Sequence, residues 1–288
     1  MGVAAAIRAP GALQGLLGEY STEVIPGDRR SIETAAEVLR PGSEVFIAAV
    51  PGETQDQMVS AAARLRDVGL IPVPHVTARN LANLKEADRL LGRLRDEAGL
   101  DRLLALGGDR DRPAGELHSS LQLVESGLFR KHGIGRVFIA CYPEGHPTVQ
   151  DPVLEEARAA KLRLAADQGL KVTLISQFCF DPRPIIGLAR RMRALGIEVP
   201  YRVGVAGPAD RATLLRYGVM CGLGPSLRAL ARRRGFGRSL ANAETPEALL
   251  TEVALAQAQE PALGICGVHF FTFGALARSA VWAERIKR

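Results

Sequence analysis

Five segments of this chain end an apolar run in a side chain that can carry charge or move a proton. Leu103-Leu104-Ala105-Leu106-Gly107-Gly108-Asp109 closes on two glycines and a carboxylate, and Ser21-Thr22-Glu23-Val24-Ile25-Pro26 holds a carboxyl among apolar neighbours. Val73-Pro74-His75-Val76-Thr77 offers a histidine. Ala140-Cys141-Tyr142-Pro143-Glu144-Gly145-His146 offers a phenol and an imidazole, and Leu174-Ile175-Ser176-Gln177-Phe178-Cys179-Phe180-Asp181 a carboxamide. A strand that delivers a polar group where its apolar residues give out places that group at a rim. The recurrence predicts one shared site.

The chemistry follows from the surroundings. Desolvation on an apolar strand raises the pKa of Glu23 toward that of a usable general acid, unless the carboxylate is paired with an arginine across the fold. Asp109, behind two residues without side chains, can meet the amidine-like edge of a flat ligand, or it can close an Asx turn. Gln177 and Cys179 share one side of their strand and Phe178 and Phe180 the other. A buried Gln177 needs a donor and an acceptor, which a pterin-like heterocycle or the protein interior supplies. His75 and His146 are ligand contacts or hydrogen-bonded core histidines, and Tyr142 stacks on a ring or packs.

These residues need a scaffold that brings strand ends together. Strand-like runs at 21–25, 43–50, 71–77, 102–107, 136–142, 171–180, 201–205 and 264–272 alternate with helical segments. Helices are expected at 31–40, 54–69, 80–99, 115–131, 153–168, 183–195, 209–221, 244–259 and 275–287. Thr54-Gln55-Asp56-Gln57 reads as a capping box, Asn80 as an N-cap, and Thr245-Pro246 as a cap followed by proline at the first helical position. Eight strands alternating with helices predict an α/β fold, a (β/α)8 TIM barrel forming a single catalytic domain over residues 1–288. A doubly wound sheet is the alternative, but no Gly-x-Gly-x-x-Gly turn supports it.

At 47% hydrophobic and 5% aromatic residues, the 288-residue chain reads as a soluble globular protein. Its apolar runs stop short of the roughly 20 residues that span a membrane, and Met1–Arg8 lacks a basic leader, so a cytoplasmic location is expected. Cys141, Cys179, Cys221 and Cys266 are widely spaced inside apolar segments, which suits buried reduced thiols. Cys266 and His269 lie on opposite sides of a strand and do not chelate together, so no metal is expected. The net charge is +6, with basic clusters at Arg190-Arg191-Met192-Arg193 and Arg232-Arg233-Arg234. No aromatics interleave with them, which argues against nucleic acid and leaves solvated helix faces or a funnel for a small polyanion. The final helix, with Ala280-Val281-Trp282-Ala283, either closes the barrel or makes a homo-oligomer contact.

In order, these segments resemble the methylenetetrahydrofolate reductase family, a flavin-dependent (β/α)8-barrel group, over most of the chain. Ser21-Thr22-Glu23 stands for the family's Ser-Phe-Glu, Pro74-His75-Val76-Thr77 for Pro-His-Leu-Thr, and Leu106-Gly107-Gly108-Asp109 for Leu-Arg-Gly-Asp. Tyr142-Pro143-Glu144-Gly145-His146-Pro147 matches Tyr-Pro-Glu-x-His-Pro, Ser176-Gln177-Phe178-Cys179-Phe180-Asp181 matches Thr-Gln-Phe-Phe-Phe-Asp, and His269-Phe270-Phe271-Thr272 matches His-Phe-Tyr-Thr.

The resemblance implies that Glu23 is the acid that opens the five-membered ring of methylenetetrahydrofolate. It implies Asp109 beside flavin and pterin, Gln177 on the folate, and His75, Gly107, Gly108, Tyr142, His146 and Lys161 around FAD. The implied reaction is reduction of 5,10-methylenetetrahydrofolate to 5-methyltetrahydrofolate with NADH or NADPH, which feeds methionine biosynthesis. There are departures. Gly107 replaces an arginine, Gly274-Ala275 replaces Asn-Arg, Ala48-Ala49-Val50-Pro51 lacks a usual threonine, and Leu164-Ala165 stands in the register of basic residues facing the FAD phosphates. They motivate two alternatives, a flavin-independent reductase with direct hydride transfer from nicotinamide, and a folate-binding subunit without redox function.

Overall fold

Val, Ile, Leu and Phe gather in runs too short for helices and too continuous for one-sided sheets, as strands covered on both faces require. In the computed structural model, which describes residues 9–220 and 243–288, these runs form a closed eight-stranded barrel. The barrel strands are β1 (Tyr20–Val24), β2 (Glu44–Ile47), β3 (Ile71–Thr77), β4 (Arg102–Leu106), β5 (Arg136–Cys141), β6 (Lys171–Ser176), β7 (Tyr201–Ala206) and β10 (Ile265–Phe271). Their order is β1-β10-β7-β6-β5-β4-β3-β2. Two short strands, β8 (Ala209–Asp210) and β9 (Ala243–Glu244), pair antiparallel outside the barrel. All eight expected runs are present. The strand expected over 171–180 ends at Ser176, and the one over 43–50 is confined to Glu44–Ile47.

Local capping chemistry explains several helix boundaries. Thr54 and Gln57 form the expected capping box on the helix Gln55–Asp67. The next helix starts later than expected, at Leu84, because Asn83 rather than Asn80 accepts the free N–H of Glu86, while Asn80 closes a short 3-10 turn. The expected helix over 115–131 is broken in two, Ser120–Glu125 and Leu128–Lys131, by Gly127 at φ 72°. Pro246 occupies the cap itself, ahead of the helix Glu247–Gln259. A further helix, Ala9–Leu17, precedes the first expected strand and buries Leu13, Leu16 and Leu17.

Contacts divide the chain into two compact units. The first comprises Ser21–Cys141 and Thr148–Ile175, and the second Met1–Tyr20, Tyr142–Pro147 and Ser176–Arg288. In the first, Phe46, Val73, Leu104, Phe138 and Ile175 point to one core. Its register pairs Glu23 with Phe46, Phe46 with Val73, His75 with Leu104 and Leu104 with Phe138. At the amino end of β2, the buried Glu44 accepts from Arg102 Nη1 at 2.6 Å and from Arg136 Nη1 at 3.5 Å. In the second unit, Phe178, Phe180, Ala206, Ala209 and Leu214 form the core, flanked by Tyr217, Phe271 and Phe273. A Cβ at Gly204 would lie 2.1 Å from the Ser176 carbonyl, so β7 approaches β6 only because that residue has no side chain.

Candidate functional site

Glu23 and His75 are far apart in the chain, yet the β1–β2–β3 register sets them face to face across Phe46. His75 Nε2 lies 3.7 Å from Glu23 Oε2, with the two side chains 10% and 15% exposed, and the His75 ring meets Phe46 edge-on at 6.0 Å. Burial pushes the Glu23 carboxyl above its usual range, and His75 opposes this more weakly. Where the sequence left open an arginine across the fold, the structure sets an imidazole against Glu23. The arrangement favours a protonated carboxyl and lets His75 support the carboxylate after the proton leaves.

Two residues beyond His75 and on the same side of β3, the Thr77 hydroxyl is buried with no hydrogen-bond partner among the described residues. Gly108, at φ 107°, passes so close that a Cβ there would meet Thr77 Cγ2 at 2.3 Å, whereas a Cβ at Gly107 would meet nothing within 4 Å. The loop carrying them is tied down by Arg79, which sequence reasoning missed. Arg79 Nε donates to the Arg110 carbonyl and Nη2 to the Asp111 carbonyl, both at 2.8 Å, and Arg79 N donates to the Gly107 carbonyl at 2.9 Å. Asp109 sits exposed on this clamped loop, engaged by no ion pair among the described residues.

Lys161 lies on the helix Asp151–Asp167 and donates to Ser120 Oγ at 3.4 Å. Burial, and after it the Arg158 cation, bring the Lys161 ammonium down to about 8. Behind them, burial pushes the Cys141 thiol up to about 12.

In the second unit, Tyr142 and His146 meet edge-to-face with ring centres 4.8 Å apart, across a turn closed by Gly145 N–H donating to the Tyr142 carbonyl. Gln177 follows the end of β6, and its carboxamide oxygen accepts the Phe178 N–H at 3.1 Å. Phe178 and Phe180 lie beyond the end of β6, so strand alternation does not set their sides, yet their rings meet edge-on with centres 5.7 Å apart. His269 is buried against Phe271, and Cys141 and Cys179 are buried as expected, but Cys266 is exposed, because its strand turns it to the other side from the core. The cluster at 190–193 is not a uniformly solvated face. Met192 is fully buried, Arg190 pairs with Glu260, and Arg193 donates to the carbonyls of Ile197, Val199, Ala262 and Leu263.

The structure thus groups Glu23, His75, Gly107, Gly108, Asp109 and Lys161 in one unit, and Tyr142, His146 and Gln177 in the other. Met1–Arg8, Cys221 and Arg232-Arg233-Arg234 lie outside the described residues. Among those described, no group of three His, Cys, Asp or Glu could hold a metal ion, and no helix is long and apolar enough to cross a membrane.

Residues 37–222, more than half of the chain, match the family described as methylenetetrahydrofolate reductase. Among solved structures, dihydropteroate synthase (FolP) from Thermus thermophilus is similar over 93% of each chain, with a TM-score of 0.48 and 16% sequence identity.

Proposed function

Because the chain belongs to the methylenetetrahydrofolate reductase family, we propose that it reduces 5,10-methylenetetrahydrofolate to 5-methyltetrahydrofolate with NADH or NADPH, through bound FAD. The observation that carries this reading is the buried carboxyl of Glu23, held above its usual range and facing His75. Opening the five-membered ring breaks one carbon–nitrogen bond, and the electron pair stays on the departing nitrogen. Glu23 delivers its proton there. The remaining nitrogen and the one-carbon unit become an iminium, and a hydride added to that carbon completes the methyl group. A neutral acid suits this step, since it meets the folate without a buried charge and has a proton to give. The carboxylate left behind lies 3.7 Å from His75 Nε2, which steadies it.

Bound flavin would supply the hydride. The residues present suit such a group. Open space beside Gly107 admits a flat ring, the unpartnered Thr77 hydroxyl offers that ring's edge a hydrogen bond, and Lys161 supplies positive charge for phosphate. In this reading His75, Gly107, Gly108 and Lys161 hold the cofactor, a role that the family resemblance also implies for Tyr142 and His146. Asp109 orients the amidine-like edge of the pterin from its clamped loop, and Gln177 contacts the folate, again as the resemblance implies.

The test is Glu23→Gln. The variant should still oxidise NADH or NADPH with an artificial electron acceptor, while folate reduction falls about 10²- to 10⁴-fold, the usual weight of a general acid. Undiminished folate reduction overturns the assignment.

One observation favours a second reading, direct hydride transfer from nicotinamide to the folate iminium. In the register where the family places basic residues toward FAD, Leu164 is half-buried and Ala165 fully buried, and neither offers a donor. Colourless purified protein whose turnover ignores added FAD would establish this reading, and tightly held flavin absorbance would eliminate it.

A further inference from the structure

The loop that leaves β1 after Glu23 runs into the helix Arg29–Val38, which packs beside the helix Gln55–Asp67 in the same compact unit. The two helices leave a cavity of about 250 Å³ between them. That is just below the roughly 300–1,000 Å³ of pockets for drug-sized ligands, and it admits a small metabolite. The floor is apolar, made by Pro26, Ile32 and Ala61, all buried. The walls are polar. Asp56, Ser60 and Arg64 follow one another at four-residue spacing, so they stand on one ridge of their helix, and Arg29 lines the cavity from the other helix.

The acids around this cavity are committed, and the bases are not. Asp56 is ion-paired with Arg93 of the helix Leu84–Ala98. Asp28, beside the lining, accepts the Ser31 N–H and caps its own helix. Arg29 and Arg64 make no ion pair and no side-chain hydrogen bond among the described residues, and neither does the Ser60 hydroxyl. Gln57 also lines the cavity. Its carboxamide oxygen accepts from Thr54 N and Thr54 Oγ1, which leaves its amide hydrogens to offer. Every lining side chain with unspent hydrogen-bonding capacity is therefore able to donate. No histidine, cysteine or lysine is among them, so the cavity is built to bind and not to move protons.

We infer that this cavity is a binding site for a small phosphate monoester with an apolar body. Such a group carries about −1.5 to −2 charge at pH 7 and three acceptor oxygens. Two guanidiniums, the Gln57 amide and the Ser60 hydroxyl meet that demand together. A carboxylate, with one charge and two oxygens, leaves donors unmet. The apolar part of the ester covers Pro26, Ile32 and Ala61 and removes them from water. Glu53 sets the orientation. A Cβ on Gly27 would lie 2.7 Å from Glu53 Oε1, so like-charge repulsion turns the phosphate away from that glycine, toward Ser60 and Arg64. Pro26 and Gly27 belong to the loop behind Glu23, and an occupant tethers that loop between the two helices. The site does not rest on the reductase reading and survives its failure.

Calorimetry on the full chain near neutral pH tests the site with phenyl phosphate, inorganic phosphate and benzoate as probes. Phenyl phosphate should bind at least about tenfold more tightly than either of the others, since inorganic phosphate lacks the apolar body and benzoate the second charge. Arg29→Gln and Arg64→Gln should each weaken phenyl phosphate at least about tenfold. Ser60→Glu, which sets a carboxylate among the donors, should abolish binding. These three residues are exposed or half-buried, so the variants should melt with wild type in the absence of ligand. In hydrogen exchange, phenyl phosphate should protect amides over 25–32 and 55–64.

Absence of binding overturns the inference, and so does an affinity left unchanged by Arg64→Gln and Ser60→Glu. Inorganic phosphate binding as tightly as the ester would mean that the floor takes no part, and benzoate binding as tightly would mean a carboxylate site. Protection along 151–167 in place of the two named segments would put the ligand on the Lys161 helix and equally refute the assignment. If Arg64→Gln does not fold, Ser60→Glu decides alone.

Discussion

Truncating Phe46 to alanine tests whether the core beneath Glu23 sets the acid. Phe46 is fully buried, is the register partner of Glu23 on β1 and Val73 on β3, and meets Phe138 edge-on at 4.9 Å and His75 at 6.0 Å. Removing a buried phenylalanine costs about 3–5 kcal/mol, of which about 0.5–1.5 kcal/mol belongs to the aromatic geometry. At about 2 °C per kcal/mol for a chain of this length, Tm should fall by roughly 6–10 °C. A second effect reaches the chemistry. The space opened beside His75 has a polar wall and admits water, which weakens the desolvation that raises Glu23. Its pKa then drops toward the ordinary range, and the limb of the kcat/KM profile set by ionisation of the acid moves to lower pH. Phe46→Leu, which keeps much of the volume, should cost less than about 1.5 kcal/mol and leave the limb in place. Thermal denaturation and the pH profile of folate reduction measure both effects. If stability falls as calculated while the limb stays fixed, this layer does not govern the protonation of Glu23, and the reasoning fails.

Two further outcomes are expected. Gly108→Ala places a Cβ at φ 107° and 2.3 Å from Thr77 Cγ2, so it should cost about 1–3 kcal/mol from the backbone alone, with the clash in addition. Adding Thr77→Ser removes the opposing methyl, so thermal melts of the double variant should recover only the clash. Glu23→Gln should alter the pH dependence of stability. With the carboxyl raised in the fold, the unfolded chain ionises first as pH climbs past the ordinary value of 4.5, so wild type loses stability over that window while the variant does not. The variant should therefore melt higher at neutral pH, with the gain vanishing below about pH 4, the ordinary range of a glutamate carboxyl. An equal difference at all pH values would mean that Glu23 ionises in the fold much as it does in the unfolded chain.

How far the sequence reached depends on the range of the forces involved. The eight strands and the Thr54–Gln57 capping box were legible because hydrophobic runs and caps act over a few neighbouring residues. Glu23 could be singled out as a desolvated carboxyl for the same reason, since its apolar flanks are adjacent in the chain. The start of the helix after Asn80 was misplaced by four residues and the break at Gly127 was not foreseen, since several local signals compete there and packing selects among them. Arg79 and Arg158 left no usable trace. One arginine on a helix or turn reads alike whether it clamps a loop, faces a buried partner or points to water. The helix Asp151–Asp167 is charged on both faces, so its pattern does not announce which face is inside.

By itself, then, the sequence determined which segments are strands, that they alternate with helices, and which motif residues end them. Only the tertiary structure decided that Glu23 faces the imidazole of His75, that Arg79 holds the Asp109 loop, and that Arg158 and Lys161 turn inward with no ion-paired carboxylate among the described residues. These are contacts between residues far apart in the chain, or choices of helix face. They are fixed by strand register and by which surfaces the barrel buries, neither of which any short stretch of chain encodes.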